Sequence, residues 1–248
     1  MRTLLLAAAI GLAAIAAPAQ PGAKAGELKF KNSLLEWDVS WPAEVSAIPA
    51  LLASIRDPAL KVKRDLLKTA AADRIDRKKQ GFPFFAYSSS SEVALAGDSG
   101  RLLSLTEEVS EFTGGAHPNS GMVAILWDRN RSRKVNVASL FRAGDPALQT
   151  LLRKNYCAAL TKERRKRRGA EGAVAGADDP FNQCPKFGEL ALVPEGKAGK
   201  PFAAIMVHAD PYVAGPYVEG DYDIDLPVTA ALVAALKPQY RASFEPAR

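Results

Sequence analysis

Histidine and cysteine are scarce in this chain of 248 residues, which has only two of each. The sequence also contains no C-x-x-C, no H-x-x-x-H and no G-x-S-x-G stretch. These absences remove the usual sequence signals of a thiol redox centre, a histidine metal pair and a hydrolase nucleophile. They do not exclude an enzyme, because catalytic groups also assemble from residues that are distant in sequence.

Long apolar segments are scarce as well, and the only one lies at the N-terminus. Arg2 precedes an apolar run from Leu4 to Ala17, which closes with small residues before Gln20. The run is shorter than the roughly 20 residues that span a bilayer, and the small residues resemble a cleavage site. Residues 1–19 are therefore predicted to be a signal peptide, the alternative being an uncleaved anchor. No transmembrane segment is expected in the mature protein, which would be periplasmic or secreted.

The net charge of +6 is basic without being extreme. Because the protein is expected to be exported, nucleic acid is not predicted as a partner. Anionic lipids and anionic wall polymers are the partners that a basic exported protein would meet. The strongest cluster is KERRKRR (162–168), whose basic residues are Lys162, Arg164, Arg165, Lys166, Arg167 and Arg168. Such a cluster favours contact with an anionic envelope surface. The alternative is a solvated helix end, where basic side chains also suit the helix dipole.

The two cysteines, Cys157 and Cys184, are predicted to form a disulfide. An oxidising compartment usually pairs two such cysteines, and neither lies near a histidine in sequence. We expect the bond to be structural.

Strands and helices are mixed along the chain without a strict β-α-β alternation. Alternating or short apolar runs predict strands within 28–42, 82–97, 101–112, 121–128, 189–193, 202–208 and 221–227. Helices are predicted from Asp57-Pro58 to Gly81, from Asp145 onward, and over 228–236. Residues 20–26 are expected to be a flexible mature N-terminus, and 169–183 a loop. This order favours an α+β fold: a mainly antiparallel sheet with helices packed on one side.

Four segments resemble, in order, a known extracytoplasmic module. They are TGGAHP (113–118) ahead of a strand, KVNVASLF (134–141), the helix after Asp145, and DPYVAGPYVEGDYDIDLP (210–227). The module is shared by RsiV-type anti-sigma factors and PdaC-type peptidoglycan deacetylases. Residues 27–115 are similar to its N-terminal, PdaC-like part, and residues 116–248 to its C-terminal, RsiV-like part.

The resemblance implies an envelope setting and the fold, without a full activity. RsiV-type members bind lysozyme through this module but also have a transmembrane segment and a sigma-binding part. PdaC-type members deacetylate peptidoglycan through a separate domain. Neither additional part is recognised here, so the resemblance implies a binding module whose ligand is a lysozyme-like protein or peptidoglycan.

His117 lies in residues 113–120, which are predicted to form a rigid connector between two strands. Gly114 and Gly115 allow positive φ or close approach of another backbone, and Pro118 makes His117 extended. His117 then fixes the connector through a hydrogen bond, faces a ligand, or serves in catalysis. All three roles stay open at this point.

His208 and Asp210 share one face at the end of a predicted strand. Together with His117 they are residue types that hold metal ions. Nothing in the sequence brings the three together, so neither a metal nor another cofactor is predicted. Asp221, Asp223 and Asp225 alternate in the same manner and are interpreted as a solvated strand face.

The loop at 209–220 is the better candidate for binding. Tyr212 and Tyr217 each follow a proline, which stiffens the loop. Tyrosines on a stiff loop can stack on sugar rings or anchor a protein partner, with Gly114, Gly115 and His117 shaping the surface beside them. The alternative is that both rings pack inward.

The leading hypothesis is an exported cell-envelope binding protein without its own catalytic centre. The competing hypothesis is a cell-wall glycan hydrolase or deacetylase-like enzyme that uses His117 or His208 with a nearby carboxylate such as Asp210.

Overall fold

The fold is taken from a computed structural model, which describes residues 24–172 and 179–247, with side chains excepted at 170–172. The predicted signal peptide at 1–19 and most of the predicted N-terminal segment 20–26 lie outside the described residues. So does the centre of the predicted loop at 169–183. In the part of the chain that is described, no helix is both long and apolar enough to span a bilayer.

The first half of the chain forms a six-stranded sheet in which spatial order follows chain order. Its strands are β1 (Gly26–Lys31), β2 (Leu35–Trp41), β3 (Tyr87–Asp98), β4 (Leu102–Phe112), β5 (Asn119–Asp128) and β6 (Arg133–Val135). All neighbours pair antiparallel except β2 and β3, which are parallel. A parallel pair requires a crossover, and here the crossover contains two helices, α1 (Ala43–Ser46) and α2 (Pro49–Gln80). The sequence predicted the antiparallel meander β3–β4–β5 but not the parallel pair.

Helix α2 begins at Pro49, nine residues before the predicted first helical residue, Pro58. Pro49 occupies the first turn, where the missing N–H of proline costs nothing, so it provides the chemistry expected of Pro58. Pro58 lies inside the helix and leaves the carbonyl of Ser54 without its usual donor. The ammonium of Lys134 donates to that carbonyl at 3.2 Å. The helix ends as predicted at Gly81, whose φ is +77°.

The second half forms a three-stranded antiparallel sheet with the remaining helices. Its strands are β7 (Ala191–Glu195), β8 (Ala204–Ala209) and β9 (Tyr222–Pro227), and its helices are α3 (Asp145–Gly172) and α4 (Ala230–Ala235). The apolar stripe of α3 packs on the core side of this sheet, where Tyr156 and Leu160 are fully buried. Cys157 and Cys184 form the predicted disulfide, which joins α3 to the segment before β7.

Two cores result, one on each side of the six-stranded sheet. Alternate residues of β2 to β5 pack beneath α2; Trp37, Val39 and Ile125 are among them. The opposite face of the six-stranded sheet differs between its two ends. At one end Leu102 and Leu126 pack into the core formed with the second half of the chain, and at the other end the side chains are polar. A cleft between the two sheets follows from this change of polarity.

The α+β prediction with a mainly antiparallel sheet is confirmed, although the second, separate sheet was not anticipated. The boundary predicted between residues 115 and 116 lies in the turn between β4 and β5. These strands are hydrogen-bonded neighbours in one sheet.

Candidate functional site

A cleft of about 610 Å³ opens between the polar half of the six-stranded sheet and the loop after β8. Its floor consists of two cross-strand rows. One row is Asp38, Ser90, Ser110 and Ser120, and the other is Ser40, Glu92, Glu108 and Met122. Side chains in register across neighbouring strands lie side by side on one face, so the floor presents carboxylates and hydroxyls over four strands.

The floor is acidic. Asp38, Glu92 and Glu108 contribute carboxylates, and Asp210 and Asp221 add two more along the wall. Among the described residues that line the cleft, the only basic side chain is His208. The field in the cleft therefore disfavours anionic ligands and favours neutral hydrogen-bonding or cationic ones.

His208 is buried and forms the centre of a three-residue bridge whose two carboxylates are partly exposed. Its Nδ1 lies 2.7 Å from Oδ1 of Asp223 on β9, and its Nε2 lies 2.9 Å from Oδ1 of Asp210. The same Asp210 oxygen accepts from the backbone N–H of Met122 on β5 at 2.8 Å. The bridge ties β8 and β9 to the six-stranded sheet, and the imidazole itself is only 3% exposed.

The bridge stabilises the charged imidazolium. Burial alone would lower the pKa of His208, but the hydrogen bonds to Asp223 and Asp210 outweigh burial and raise it. With a carboxylate at each ring nitrogen, both nitrogens serve as donors, and no lone pair remains to accept a proton from a substrate. The geometry therefore suits a structural bridge better than a general base.

Asp221, Asp223 and Asp225 are exposed, as the sequence predicted. Asp223 has a further contact, because it is the register partner of His208 and binds it. His208, Asp221 and Asp223 bring their ligand atoms within 4.8 Å of one another, a set of residue types that can hold a metal ion. His117 is not part of this group.

Replacement of His208 by Gln is expected to destabilise the protein most at mildly acidic pH. Because the folded-state pKa of His208 is raised, its contribution is complete below the unfolded value of about 6.5 and declines as pH rises through the folded-state pKa. Urea unfolding of both proteins between about pH 5 and pH 9 measures this, with an expected difference of about 1–3 kcal/mol at the acidic end. His117→Gln is the matched control, since His117 is exposed. A difference that is constant with pH would contradict the prediction.

The predicted connector and the Pro-Tyr loop meet at the rim of the cleft. The rings of His117 and Tyr217 stack with centroids 3.9 Å apart, and those of Tyr212 and Tyr217 lie 5.6 Å apart. The Tyr217 hydroxyl donates to the carbonyl of Pro118 at 3.2 Å, and His117 Nδ1 lies 2.8 Å from the same oxygen. We call His117, Tyr212 and Tyr217 the aromatic ledge.

The ledge faces outward. Tyr212 is 56% exposed and Tyr217 lines the cleft, so these two rings do not both pack inward. Tyr212 also has a positive φ of 72°, an uncommon conformation for a residue with a side chain. Gly114 and Gly115, at φ of 97° and 124°, provide the left-handed turn that carries His117 to Tyr217. The sequence predicted both segments but not their contact.

The predicted basic patch needs correction at two positions. Arg164 is only 4% exposed and donates to three backbone carbonyls, those of Ala214, Asn182 and Gln183. Arg168 forms a bidentate ion pair with Glu219. Both arginines lie on the inner side of α3, where helical spacing places residues four apart on one face.

The remaining basic residues of the cluster divide further. The exposed ones are Lys162, Arg165, Lys166 and Arg167. Arg167 donates to the carbonyls of Glu219 and Asp221, and Lys166 pairs with Glu163 at 3.5 Å. A patch for an anionic surface is therefore smaller than the sequence suggested.

Gly121 is a site residue that the sequence did not identify. A Cβ at this position would lie 3.2 Å from the Asp210 carboxylate, so the glycine leaves room for the bridge. The cleft carboxylates of Asp38, Glu92 and Glu108 were also missed. Their only signal was polarity at alternate positions of predicted strands, which does not reveal which strands become neighbours.

Residues 28–120 match the family model described as Deacetylase PdaC. A comparison with curated proteins finds no match.

Solved structures similar to the chain include two of the DUF3298 family. One is a DUF3298 family protein from Pseudomonas aeruginosa PAO1, at 18% identity and a TM-score of 0.52, covering 94% of this chain and 99% of that one. The other is a member of the same family from Bacteroides fragilis NCTC 9343, at 14% identity and a TM-score of 0.50, covering 88% and 95%. Both likenesses concern the fold. Residues 28–120 are therefore similar to PdaC-type domains, and the chain has, over most of its length, a fold like that of the DUF3298 family proteins.

Proposed function

We propose that the protein is an exported cell-envelope binding protein that holds a glycan strand of peptidoglycan in the cleft. The observation that carries the proposal is the aromatic ledge, built from two distant segments and placed beside a polar floor. An aromatic face next to fixed carboxylates and hydroxyls matches the two faces of a sugar ring, one apolar and one rich in hydroxyl groups.

The cleft has the dimensions that such a ligand needs. Its volume of about 610 Å³ falls inside the range of roughly 300–1,000 Å³ that is usual for ligand sites. Its floor spans four strands, about 14 Å at the usual spacing between strands. That length admits more than one sugar ring, so a chain of sugars suits the cleft better than a single small molecule.

Binding without catalysis fits the histidines better than the enzyme alternative does. His208 is engaged by a carboxylate at each nitrogen. His117 is the only histidine in residues 28–120, and its Nδ1 contacts its own chain at Pro118. We therefore assign no hydrolytic or deacetylation step to either residue.

A lysozyme-like protein is the second candidate ligand, and the acidic floor favours it. A cationic surface that enters the cleft would meet Asp38, Glu92 and Glu108, and the only basic side chain among the described lining residues, His208, is already engaged by Asp210 and Asp223. The exposed residues Lys162, Arg165 and Lys166 then remain for contact with an anionic envelope surface, as proposed from the sequence.

Tyr212→Ala and Tyr217→Ala are each expected to weaken binding to purified peptidoglycan sacculi about tenfold. Loss of a stacked ring costs about 1.4 kcal/mol, which corresponds to that factor. Co-sedimentation with sacculi measures the affinity. Tyr212→Phe keeps the ring and should bind as the parent does, and Phe82→Ala removes an aromatic ring that is 61% exposed but does not line the cleft.

Two arms of the experiment separate the candidates. Glycan binding should change little between low and high salt, whereas binding of lysozyme to an acidic cleft should weaken strongly. A protein that binds neither sacculi nor lysozyme would refute the proposed function, and so would equal binding by both alanine variants and the parent.

A further inference from the structure

Strand β5 has a free edge along most of its length. β6 pairs with Leu126–Asp128, so within residues 24–172 and 179–247 no strand pairs with residues 119–125 on the side away from β4. Free strand edges are templates for pairing with another chain, and proteins that do not use them generally cover or charge them.

The direction of the backbone groups on this edge follows from two contacts. The N–H of Arg129, just after β5, donates to the carbonyl of Arg101 on the β4 side, and the N–H of Met122 donates outward to Asp210. In an antiparallel ladder the N–H and C=O of one residue point to the same side and alternate along the strand. Ala124 therefore points outward as well, and within the described residues neither its N–H nor its C=O has a partner on that side.

A second cavity, of about 700 Å³, lies against this edge. Its far wall is formed by the start of β7 and the turn before it. The side chains that make it apolar are Val135, Val137, Leu148, Phe187, Leu190 and Leu192. Backbone groups on one side and apolar side chains on the other are what an added strand requires: hydrogen bonds for its main chain and a pocket for alternate side chains.

The charges around this cavity have one sign. Asp145, Glu189 and Asp210 line it, and no lysine, arginine or histidine is among the described residues that do. A bound segment would therefore be favoured by a positive charge, either a basic side chain or a free amino terminus.

We propose that this groove binds an extended peptide of a partner protein by strand addition to β5. The peptide pairs with the outward groups of Ala124 and the carbonyl of Met122, places alternate apolar side chains toward Leu148 and Phe187, and carries a positive charge. About six residues are enough, because a strand rises about 3.3 Å per residue. This peptide site differs from the glycan cleft, with which it shares Met122 and Asp210 in the lining.

The probe is a phage-displayed library of random peptides with free amino termini, selected on the full chain. Selection should enrich sequences with alternating apolar residues and at least one basic residue. A synthetic copy of the best peptide should bind Ala124→Pro at least about tenfold more weakly than the parent. Proline removes the outward N–H and is tolerated on edge strands. Addition of the peptide should also slow hydrogen exchange at the Ala124 amide.

A second variant protects the test if Ala124→Pro misfolds. Leu192→Asp places a charge in the apolar wall and should lose the peptide equally, while Val109→Asp is the control, because Val109 is 37% exposed and does not line the groove. No enrichment, an enriched set of acidic peptides, or unchanged exchange at Ala124 would overturn the proposal. Sacculus binding by Leu192→Asp should stay at the parent level, so failure of this inference and failure of glycan binding are distinguishable.

Discussion

Arg164→Met is expected to lower the free energy of unfolding by about 3 kcal/mol. The guanidinium is buried and donates to the carbonyls of Ala214, Asn182 and Gln183 at 2.8, 3.2 and 3.0 Å. Methionine fills a similar volume but donates to none of these carbonyls, and a hydrogen bond from a charged donor contributes roughly 1.5–3 kcal/mol. The gain from removing a buried charge offsets part of the sum.

Arg165→Met is the matched control. The two residues are neighbours in α3, but Arg165 is exposed, so its replacement should change stability by no more than about 0.5 kcal/mol. Urea unfolding with the disulfide intact gives both values. Arg164→Lys should recover only part of the loss, since an ammonium lacks the planar fork that reaches three carbonyls in two segments. Equal effects of Arg164→Met and Arg165→Met would disprove the role assigned to Arg164.

Arg164→Met should also weaken binding to peptidoglycan sacculi. Ala214 lies between Tyr212 and Tyr217, and Arg164 and Arg168 together hold this loop against α3. The basic cluster thus has a part in positioning the aromatic ledge. A run of basic residues in a sequence shows the charge but not which side chains face the core. Once the buried face of α3 is known, the helical period assigns Arg164 and Arg168 to that face and Arg165 and Lys166 to the solvent face.

The elements of the fold were predictable where local chemistry decides them. Three features of the sequence act locally: the alternation of apolar and polar residues at 221–227, the capping glycine at 81 and the apolar stripe after Asp145. Each of the elements that they predict is present. The parallel pairing of β2 with β3 and the separation of two sheets depend on contacts between distant segments. The predicted start of α2 was wrong for a related reason, because Asp57-Pro58 and Pro49 are both suited to the first turn of a helix. Pro58 can lie inside the helix because Lys134, which is distant in sequence, donates to the carbonyl of Ser54.

The candidate site shows the same limit. Tyr212, Tyr217 and the glycines before His117 were identified because proline and glycine restrict the backbone locally. The bridge from His208 to Asp223 required the register of β8 and β9, and the acidic floor required the order of four strands. Residues that contact one another across strands have no characteristic spacing in the sequence, so sequence reasoning does not find them.

Loss of the disulfide is expected to destabilise the protein by about 3.5 kcal/mol. Cys157 and Cys184 are 27 residues apart, and closing a loop of that length removes about this much conformational free energy from the unfolded chain. A Cys157→Ala, Cys184→Ala double variant, unfolded in urea beside the oxidised parent, measures the difference. Mass spectrometry of the parent without reductant should first show the linked pair, and two free thiols would contradict the expectation.

The disulfide and Arg164 should also be coupled, which a purely entropic crosslink would not produce. The bond fixes the segment whose carbonyls, at Asn182 and Gln183, accept from Arg164, while Arg153 binds the carbonyls of Cys184 and Pro185. Without the disulfide this segment can move away from α3, so Arg164→Met should cost less in the cysteine-free variant than in the parent. Residues that share one network typically show coupling energies of roughly 0.5–3 kcal/mol. A double-mutant cycle with zero coupling would show that the segment keeps its position without the bond.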